Sequence, residues 1–517
     1  MYLDTTNTGE EVQSGSEVKV LHVASEAIPF AKVGGLADVV GSLPLSLLQL
    51  GIDTRLMLPA YREVKSAGFK IKQVTETFEV DMGSHKAQAA LLEAEDYPLK
   101  TYFLDCPEYF DREGIYGYET ADGFEDNLER YALLCKGVLE AMPLLGWMPE
   151  LIHAHDWQAA LLPTYMAHLR NTKHLFAKVG TLYTIHNLAY QGNFSKEKRF
   201  ALGLYGKPFS WRKLKYFGKI NMMKVGIVGA DWVNTVSPGY RDETLKGGPT
   251  GAGMEVFLRN RKREYSGIIN GIDYNNWDPT TDSHLAFQFQ GDWNDFKSAN
   301  KAALLTECGF NLSASSKPII GMVTRIVHQK GVDVVLDVVE DIVSLGFNLV
   351  VLGAGDRNYS DRFKFAARRY PGSVYYDFRY NEPMAHKIYA GSDMFLMPSR
   401  FEPCGLSQMI AMHYGTIPVV HNVGGLRDTV EDFDSAARTG TGFKFSGLYP
   451  QKAIGALQKA MWAYKDKEAW SALILNATKT DFSWKRSAEA YLNLYKNVIQ
   501  MVKMDNTVSR RQLDDMY

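Results

Sequence analysis

Short apolar runs rich in β-branched residues alternate with helical segments along this chain, and the whole alternation occurs twice. The first run is Val18–Ser25, and apolar residues then recur at helical spacing over Leu36–Leu50, before a second run at Thr54–Leu58. Strands that alternate with helices in this way predict a parallel sheet covered by helices. Single hydrophobic cores stop growing near roughly 250–300 residues. A chain of 517 residues therefore predicts two such α/β units.

The second alternation begins after Asn270-Gly271-Ile272-Asp273. Its predicted strands are Pro318–Thr324, Asn348–Leu352, Val374–Phe378, Met394–Pro398 and Ile417–His421. The segment Ser483–Val502 carries apolar residues at helical spacing, so we expect a helix that packs across the boundary between the two units. We divide the chain into a polar tail, two α/β domains, this helix and a second polar tail, which are residues 1–17, 18–268, 269–482, 483–504 and 505–517.

Charge and composition argue against several classes of protein. Fifty-seven basic and 59 acidic residues give a net charge of −2, which provides no positive field for nucleic acid. The most apolar long segment, residues 332–351, is interrupted by acidic residues, so no membrane span is predicted. Residues 1–17 lack the pattern of a secretory signal, and the four cysteines have no C-x-x-C spacing. We expect a protein of the reducing cytoplasm with neither a disulfide framework nor a cysteine zinc site.

Polar or aromatic clusters follow three predicted strands of the first domain. The strands are Leu151–Ala154, Gly180–Thr184 and Trp232–Val236, and the clusters are His155-Asp156-Trp157, His186-Asn187 and Ser237-Pro238. Ligands bind outside the carboxyl ends of parallel strands, so these clusters share one rim. Asp156 and His186 can be sugar ligands or acid–base groups. Alternatively, each makes only structural hydrogen bonds.

The loop Lys32-Val33-Gly34-Gly35 lies between the first strand and the first helix. Its glycines let backbone N–H groups approach an anion, the helix terminus is positive, and the lysine adds a full charge. This arrangement is typical of a phosphate site. The alternative is an ordinary tight turn with a solvated lysine.

Two further loops of the second domain suit a diphosphate. Arg325 and Lys330 flank four residues just after a predicted strand, and an arginine fork and a lysine charge both grip phosphate oxygens. Glu402-Pro403-Cys404-Gly405-Leu406-Ser407 follows another strand and leads into a helix whose first amides can bind an anion. Glu402 can bond sugar hydroxyls or balance developing positive charge. The alternatives are a solvated basic turn, and a helix-capping acid beside a core cysteine.

Other enzyme classes lack their motifs. The sequence contains no H-E-x-x-H, no G-x-S-x-G and no G-x-x-x-x-G-K-[ST], so zincin, serine-hydrolase and Walker-type activities are not predicted. Gly353-Ala354-Gly355-Asp356 lacks the third glycine of a dinucleotide fingerprint, which argues against an NAD enzyme.

Taken together, these motifs resemble those of the glycogen and starch synthases, which use ADP-glucose. The resemblance runs from about Val18 to Asn497 and rests on Ser25-Glu26, Lys32-Val33-Gly34-Gly35-Leu36-Ala37-Asp38-Val39-Val40, Phe110-Asp111-Arg112, Tyr116-Gly117, His153-Ala154-His155-Asp156-Trp157-Gln158, Thr184-Ile185-His186-Asn187-Leu188-Ala189-Tyr190-Gln191-Gly192, Thr235-Val236-Ser237-Pro238, Asn270-Gly271-Ile272-Asp273, Pro398-Ser399-Arg400-Phe401-Glu402-Pro403-Cys404-Gly405-Leu406 and Gly424-Gly425-Leu426-Arg427-Asp428-Thr429-Val430.

The resemblance implies two Rossmann-like domains of the GT-B type facing a cleft, with the last helix crossing back to the first domain. It implies a hexosyltransferase that joins glucose in an α-1,4 bond to the non-reducing end of a glucan, with retention of configuration. The first domain would then bind the acceptor and the second the nucleotide sugar. No metal or cofactor is implied, and the partners are the two substrates. A plastid location is implied only if a transit peptide has been removed.

Residue roles follow from the same resemblance. It implies that Glu402, His186, Asp156 and Lys32 form the catalytic set, with Glu402 on the donor glucose. The donor-binding set is Lys32, Gly34, Gly35, Arg325, Lys330, Tyr380, Cys404, Gly405, Leu406 and Ser407, with Tyr380 near the adenine.

Two alternatives to an ADP-glucose-dependent synthase remain at this point. One is a UDP-sugar transferase of the same fold with a small acceptor, and the other is a catalytically silent glucan-binding or chain-initiating protein. Ile410 stands where many related transferases carry a second glutamate, which weakens a sucrose or trehalose type of transferase. Ser407 stands where many synthases have threonine, a mild change if only its amide is used.

Overall fold

A computed structural model describes residues 18–117, 123–202, 211–379 and 381–505. The strands of the first half are β1 Lys19–Val23, β2 Asp53–Pro59, β3 Ile71–Gln73, β4 Phe78–Asp81, β5 Lys86–Ala94, β6 Thr101–Asp105, β7 Leu151–His155, β8 Gly180–Ile185, β9 Asn193–Phe194, β10 Lys215–Tyr216, β11 Lys219–Asn221, β12 Trp232–Thr235 and β13 Tyr265–Gly267. Those of the second half are β14 Ile319–Val323, β15 Asn348–Leu352, β16 Val374–Asp377, β17 Met394–Met397, β18 Ile417–His421 and β19 Phe443–Phe445.

The helices cover both faces of the two main sheets. They are α1 Gly35–Gln49, α2 Arg62–Ser66, α3 Pro107–Phe110, α4 Asn127–Leu144, α5 Leu161–Thr172, α6 Trp211–Leu214, α7 Met222–Gly229, α8 Pro238–Lys246, α9 Glu255–Asn260, α10 Trp293–Glu307, α11 Val332–Asp337, α12 Val339–Ser344, α13 Arg357–Arg369, α14 Glu382–Gly391, α15 Ser407–His413, α16 Gly424–Thr429, α17 Pro450–Lys465, α18 Lys467–Lys479 and α19 Trp484–Asp505.

The first sheet has ten strands in the order β13-β12-β8-β7-β1-β2-β6-β5-β3, with β4 paired to β5. The seven strands from β13 to β6 are parallel, whereas β3, β4 and β5 pair antiparallel at one edge. The central strands are buried along almost their whole length, because helices cover both faces of a parallel sheet. Strand order reverses between β1 and β7.

The second sheet has six parallel strands in the order β16-β15-β14-β17-β18-β19, and its order reverses between β14 and β17. Both halves are therefore doubly wound, with one topological switch point each. This arrangement confirms the predicted α/β class with two Rossmann-like units. Each half has its own hydrophobic core. None of the described helices is both long and apolar enough to cross a membrane.

The last helix, α19, packs on the first half although it follows the second half in sequence. A separate apolar cluster joins it to α1 and to the strands beneath, and includes Val20, Leu43 and Tyr495. Polar contacts add to this packing: the Tyr495 hydroxyl lies 2.8 Å from Nδ1 of His153, and Asn234 donates to the Tyr491 hydroxyl. The helix thereby ties the end of the chain to the sheet that carries the first switch point.

The two halves also meet beside the second switch point. The Ser237 hydroxyl donates to the Pro403 carbonyl oxygen at 2.6 Å, and the Gly424 amide donates to the Glu243 carboxylate at 2.8 Å. These contacts hold α8 of the first half against α16 of the second. The two halves are therefore in direct contact at the base of the cleft, next to the loop that contains Glu402.

Candidate functional site

The predicted site residues lie in loops that follow β1, β7 and β8 in the first half and β14 and β17 in the second. Both pairs of strands at which the order reverses, β1 with β7 and β14 with β17, therefore contribute loops to the site. A crevice outside the carboxyl ends of strands at a switch point is where open α/β sheets bind ligands. Tyr380 lies outside the described residues, as do residues 1–17 and 506–517 of the two predicted tails.

The glycine loop before α1 already holds an anion, and that anion is the protein's own Glu26 carboxylate. The amides of Val33 and Gly34 donate to Oε2 of Glu26 at 2.6 and 2.8 Å. The Lys32 ammonium lies 2.8 Å from Oδ1 of Asp38, and its side chain is exposed. Gly35 begins α1, so its amide is one of the first-turn N–H groups with no intrahelical acceptor. In this arrangement Lys32 and Gly35 are exposed, while the Gly34 amide stabilises the loop by binding Glu26.

Glu26 is a residue whose role the sequence did not predict. It is 4% exposed, and burial raises the pKa of its carboxyl group. The Tyr116 hydroxyl donates to Oε1 of Glu26 and lies 2.7 Å from the Ser25 hydroxyl. The signal was present in the pairs Ser25-Glu26 and Tyr116-Gly117, but nothing in the sequence shows that they touch.

Asp156 supports the loop that carries His186. Its Oδ1 accepts the His186 amide at 2.7 Å, and its own backbone has a φ of 53° with ψ of −173°. Non-glycine residues rarely adopt this region, and such strain concentrates at functional sites. Burial raises the pKa of Asp156 to about 7. Asp156 therefore holds the backbone of His186 in place through this hydrogen bond.

His186 is a neutral hydrogen-bonding group in this site. Burial lowers the pKa of its ring to about 3, so the imidazole carries no charge near neutral pH. Its Nε2 lies 3.0 Å from Nδ1 of His155. A base of such low pKa accepts protons poorly at neutral pH. His186 is thus suited to orient a sugar rather than to abstract its proton.

Glu402 and Lys330 form an ion pair at the second switch point. The Lys330 ammonium lies 2.6 Å from Oε2 of Glu402, and the Ser399 hydroxyl donates to the same oxygen at 2.9 Å. Glu402 is 5% exposed. The Gly425 amide donates to the Glu402 carbonyl oxygen at 2.9 Å, which fixes the backbone as well. A buried carboxylate and its counter-charge therefore stand where the sequence predicted sugar and phosphate contacts.

Two features hold the Lys330 loop against β17. Gly331 has a φ of 66°, and a Cβ there would lie 1.9 Å from the Pro398 carbonyl oxygen, so only glycine permits this approach. Arg400 grips both oxygens of Asp333 at 2.7 and 2.6 Å and also donates to the His328 carbonyl oxygen. No role for Arg400 follows from the sequence, because its partner Asp333 lies 67 residues away.

Arg325 reaches across the cleft. Its guanidinium donates to the Tyr190 hydroxyl at 3.1 Å, and Tyr190 belongs to the first half and is 51% exposed. The same loop therefore carries one cation paired to Glu402 and one in contact with the opposite lip of the cleft. A ligand between the halves would meet both cations.

The loop after Glu402 has the geometry of an anion site. Gly405 has a φ of 75°, Leu406 caps α15, and Ser407 begins this helix, whose first amides lack intrahelical acceptors. All three residues are partly exposed. Cys404 is buried, and burial raises the pKa of its thiol to about 12. A thiol with that pKa is not a nucleophile at neutral pH.

Three buried histidines, His22, His153 and His155, are close enough to share a metal ion, with their nearest ring nitrogens within 4.8 Å of one another. Both nitrogens of His153 and both of His155 already form hydrogen bonds. A metal ion would have to break these bonds inside a closed core. The group is better suited to hydrogen bonding than to metal binding.

Two family models match the chain: "Starch synthase catalytic domain" over residues 19–260 and "Glycosyl transferases group 1" over residues 309–479. Curated relatives named glycogen synthase extend over almost the whole chain. The one from Desulforudis audaxviator is 39% identical over 95% of this chain and 98% of the relative. The one from Geotalea daltonii is 40% identical over 93% of this chain and 99% of the relative.

Solved structures agree with these matches. The catalytic domain of starch synthase IV from Arabidopsis thaliana, bound to ADP and acarbose, superposes with a TM-score of 0.84 at 31% identity, over 94% of this chain and all of that one. Sucrose-phosphate synthase from Thermosynechococcus elongatus covers the same share at 17% identity with a TM-score of 0.57, which shows the fold alone.

Proposed function

Because the chain belongs to the glycogen and starch synthase family, we propose that this glycosyltransferase moves glucose from ADP-glucose to the non-reducing end of an α-1,4-glucan. It elongates the glucan as a hexosyltransferase. The bound ADP of the Arabidopsis starch synthase supports an adenine nucleotide as the carrier, and its bound acarbose supports a glucan-like acceptor. The residue roles are proposed from the family resemblance, and the contacts within this chain support them.

The observation that carries the proposal is the arrangement around Glu402. A buried carboxylate is paired with Lys330, near the start of α15 at Ser407 and in the same half as Arg325. A donor diphosphate would draw Lys330 toward its oxygens. Glu402 would then be left to accept hydrogen bonds from glucose hydroxyls or to balance positive charge on the sugar. The pair therefore keeps both groups oriented until the donor arrives.

The chemistry needs these groups because negative charge develops on the leaving diphosphate while the glucose becomes oxocarbenium-like. Fixed cations and amides aimed at that diphosphate stabilise the transition state more than the ground state. We assign this work to Arg325, Lys330 and the amides of Gly405, Leu406 and Ser407, with Lys32 approaching from the first half.

We propose same-face attack by the acceptor hydroxyl, with the departing phosphate oxygen taking its proton. No side chain is assigned as a nucleophile, because same-face attack needs none, and the Cys404 thiol stays protonated at neutral pH. The acceptor oxygen bonds to the anomeric carbon as the bond to the diphosphate breaks. Asp156 and His186 line the reacting sugar from the first half.

The two halves bind different substrates in this proposal. We propose that residues 18–268 bind the acceptor and that residues 269–482 hold the nucleotide sugar. Lys32 comes from the first half, whereas Arg325 and Lys330 come from the second, so all three converge on one donor only when the cleft closes. Small-angle scattering with and without ADP-glucose measures this closure, and unchanged dimensions would contradict it.

We also propose that the reaction uses no metal ion or other cofactor, because the cations around the diphosphate site are side chains. Activity after exhaustive chelation should equal untreated activity, and a loss restored by Mg²⁺ would refute this. The four cysteines are free thiols, which supports the proposal that the protein works in the reducing cytoplasm or in a plastid.

The test is a donor-competition assay with glycogen as acceptor. Purified protein is given ADP-glucose and UDP-glucose together, and the release of each nucleotide and the lengths of the glucan chains are measured. We expect ADP release matched by chain elongation. A preference for UDP-glucose would show that the donor is UDP-glucose and not ADP-glucose. No turnover with any nucleotide glucose would refute the proposal and favour a catalytically silent glucan-binding protein.

A further inference from the structure

Behind His186 lies a row of histidines that the proposed reaction does not use. His22 on β1 and His155 on β7 occupy neighbouring strands, and His186 follows β8. Nε2 of His186 lies 3.0 Å from Nδ1 of His155, and Nε2 of His155 lies 3.2 Å from Nδ1 of His22. The His22 and His155 rings are stacked. Three imidazoles therefore form one continuous hydrogen-bonded chain that leads from the core to the cleft.

All three rings are neutral. Burial lowers the pKa of His22 and of His186 to about 3 and the pKa of His155 well below its usual range. A neutral imidazole has one N–H donor and one acceptor nitrogen. If His155 donates from one nitrogen, it must accept at the other. All hydrogen bonds of this histidine chain therefore point in the same direction, and the tautomer of any one ring sets the tautomers of the other two.

The inner end of the chain decides that direction. Nε2 of His22 is enclosed and has no hydrogen-bond partner among the described residues. If the chain ran inward, His22 would bury an unpaired N–H group. If it runs outward, His22 buries only an unused lone pair. Among buried backbone groups, orphaned N–H donors are rarer than under-satisfied acceptors, and the same preference applied to this imidazole favours the outward direction.

The direction of the histidine chain determines which nitrogen of His186 carries the proton at the cleft. With the chain running outward, Nε2 of His186 accepts from His155, and the proton of His186 is on Nδ1. Within the described residues Nδ1 has no hydrogen-bond partner, and it is not among the enclosed unpaired atoms, so it can reach a ligand in the cleft. His186 would then be a fixed hydrogen-bond donor at the site.

We propose that His22 and His155 are positioning residues that lock His186 in the tautomer with its proton on Nδ1, so that it donates a hydrogen bond to a sugar hydroxyl. The identity of the sugar as the donor glucose rests on the proposed function, whereas the tautomer does not. His153 lies on the same strand but outside the chain, because its nitrogens face Tyr495 and Thr184 instead. It provides a matched control.

The first test reads the tautomer directly in the full-length protein without substrate. Long-range proton–nitrogen spectra of ¹⁵N-histidine-labelled protein distinguish protonated from unprotonated ring nitrogens, and a His186→Gln variant identifies the His186 signals. We expect a protonated Nδ1 and an unprotonated Nε2. The opposite assignment would overturn the proposal, whether or not the protein proves to be a glucosyltransferase.

The second test perturbs the chain. His155→Leu removes the donor to His186 and should produce a mixture of His186 tautomers, whereas His155→Asn keeps an amide N–H near the position of Nδ1 and should preserve the wild-type tautomer. His153→Leu should lower the melting temperature without changing the tautomer. An unchanged tautomer in His155→Leu would overturn the proposal. If that variant does not fold, His22→Phe, which removes the donor to Nε2 of His155, is the deciding variant and should also give a mixture.

The third test links the tautomer to catalysis. Losing one oriented hydrogen bond to the sugar should lower kcat by roughly 2- to 12-fold. We expect this loss in His155→Leu, with recovery in His155→Asn and little change in His153→Leu. A merely structural role would instead give equal losses in His155→Leu and His153→Leu when their melting temperatures fall equally, and that result would count against positioning.

Discussion

Replacing Lys330 by methionine separates two roles that the structure allows for this lysine. One is to neutralise the buried Glu402, and the other is to bind the donor diphosphate. The Lys330 ammonium lies 2.6 Å from the carboxylate, and both side chains are largely buried. Without Lys330, the Ser399 hydroxyl is the one hydrogen-bond donor that the Glu402 carboxylate keeps among the described residues. Leaving a buried charge unpaired costs about 3–5 kcal/mol.

The rate is expected to fall for a second reason. A charge-assisted contact contributes about 1.5–3 kcal/mol, which corresponds to roughly 10- to 150-fold in rate if it is made in the transition state. Glu402→Gln removes the charge that Lys330 neutralises. If Lys330 binds phosphate, adding Lys330→Met to Glu402→Gln still lowers kcat/KM by that factor. If Lys330 only neutralises Glu402, adding it costs almost nothing further.

The assay is steady-state ADP release with glycogen, together with thermal unfolding of the four proteins of the cycle. Lys301 provides the control, because it forms a buried pair of 2.8 Å with Asp393 in the same half. Lys301→Met should lower stability without a comparable loss of rate in the protein that remains folded. A Lys330→Met enzyme within about twofold of wild type, against the 10-fold minimum from a lost contact, would refute the assignment of Lys330 to the diphosphate.

Three further changes test other parts of the structure. Glu26→Gln weakens the bonds from the Val33 and Gly34 amides and loosens the loop that carries Lys32. The value of kcat should therefore fall by at most roughly 10-fold, the factor for one charge-assisted contact, while Glu76→Gln on the exposed surface should leave kcat unchanged. Lys32→Ala should lower kcat more than it raises the KM for ADP-glucose. A normal kcat with weaker donor binding would instead show that the loop only binds the donor and does not contribute to the chemical step. Burial lowers the pKa of Lys297 to about 7, so the unfolded chain binds a proton that the folded chain lacks between about pH 7 and 10. The free energy of unfolding should therefore rise with pH across that window in wild type and less steeply in Lys297→Met, and parallel pH profiles would contradict this.

Ten of the thirteen parallel strands were predicted, because a strand that is buried on two faces reads as a nearly continuous apolar run. The parallel strands β6, β13 and β19 were not predicted. All the strands predicted in the second half are present within a residue of their predicted ends. The antiparallel edge, β3 to β5, was not predicted. These strands alternate buried and exposed positions and contain lysines and glutamates, so their sequences do not stand out from loops. The short sheet of β9 to β11 was missed for the same reason.

The positions of the site loops were also predictable, because parallel strands deliver their carboxyl ends to a common rim. The pairing within those loops was not. Glu26 in its own amide nest, Lys330 with Glu402, and Arg400 with Asp333 each depend on how close two loops come in space. Residue type shows that such a group needs a partner, but only the packed sheets decide which one it finds.

The contacts between the halves add a constraint that neither half shows alone. Ser237 and Glu243 of the first half hold the backbone at Pro403 and Gly424, and the Gly425 amide binds the Glu402 carbonyl oxygen. The Glu402 loop is therefore anchored from both halves. If the halves rotate about these contacts, Arg325 and Lys330 change their distance from Lys32 while Glu402 keeps its place. Glu402, which lies at the pivot, can then hold the sugar in one position. The cations Arg325, Lys330 and Lys32 meanwhile come together around the leaving diphosphate.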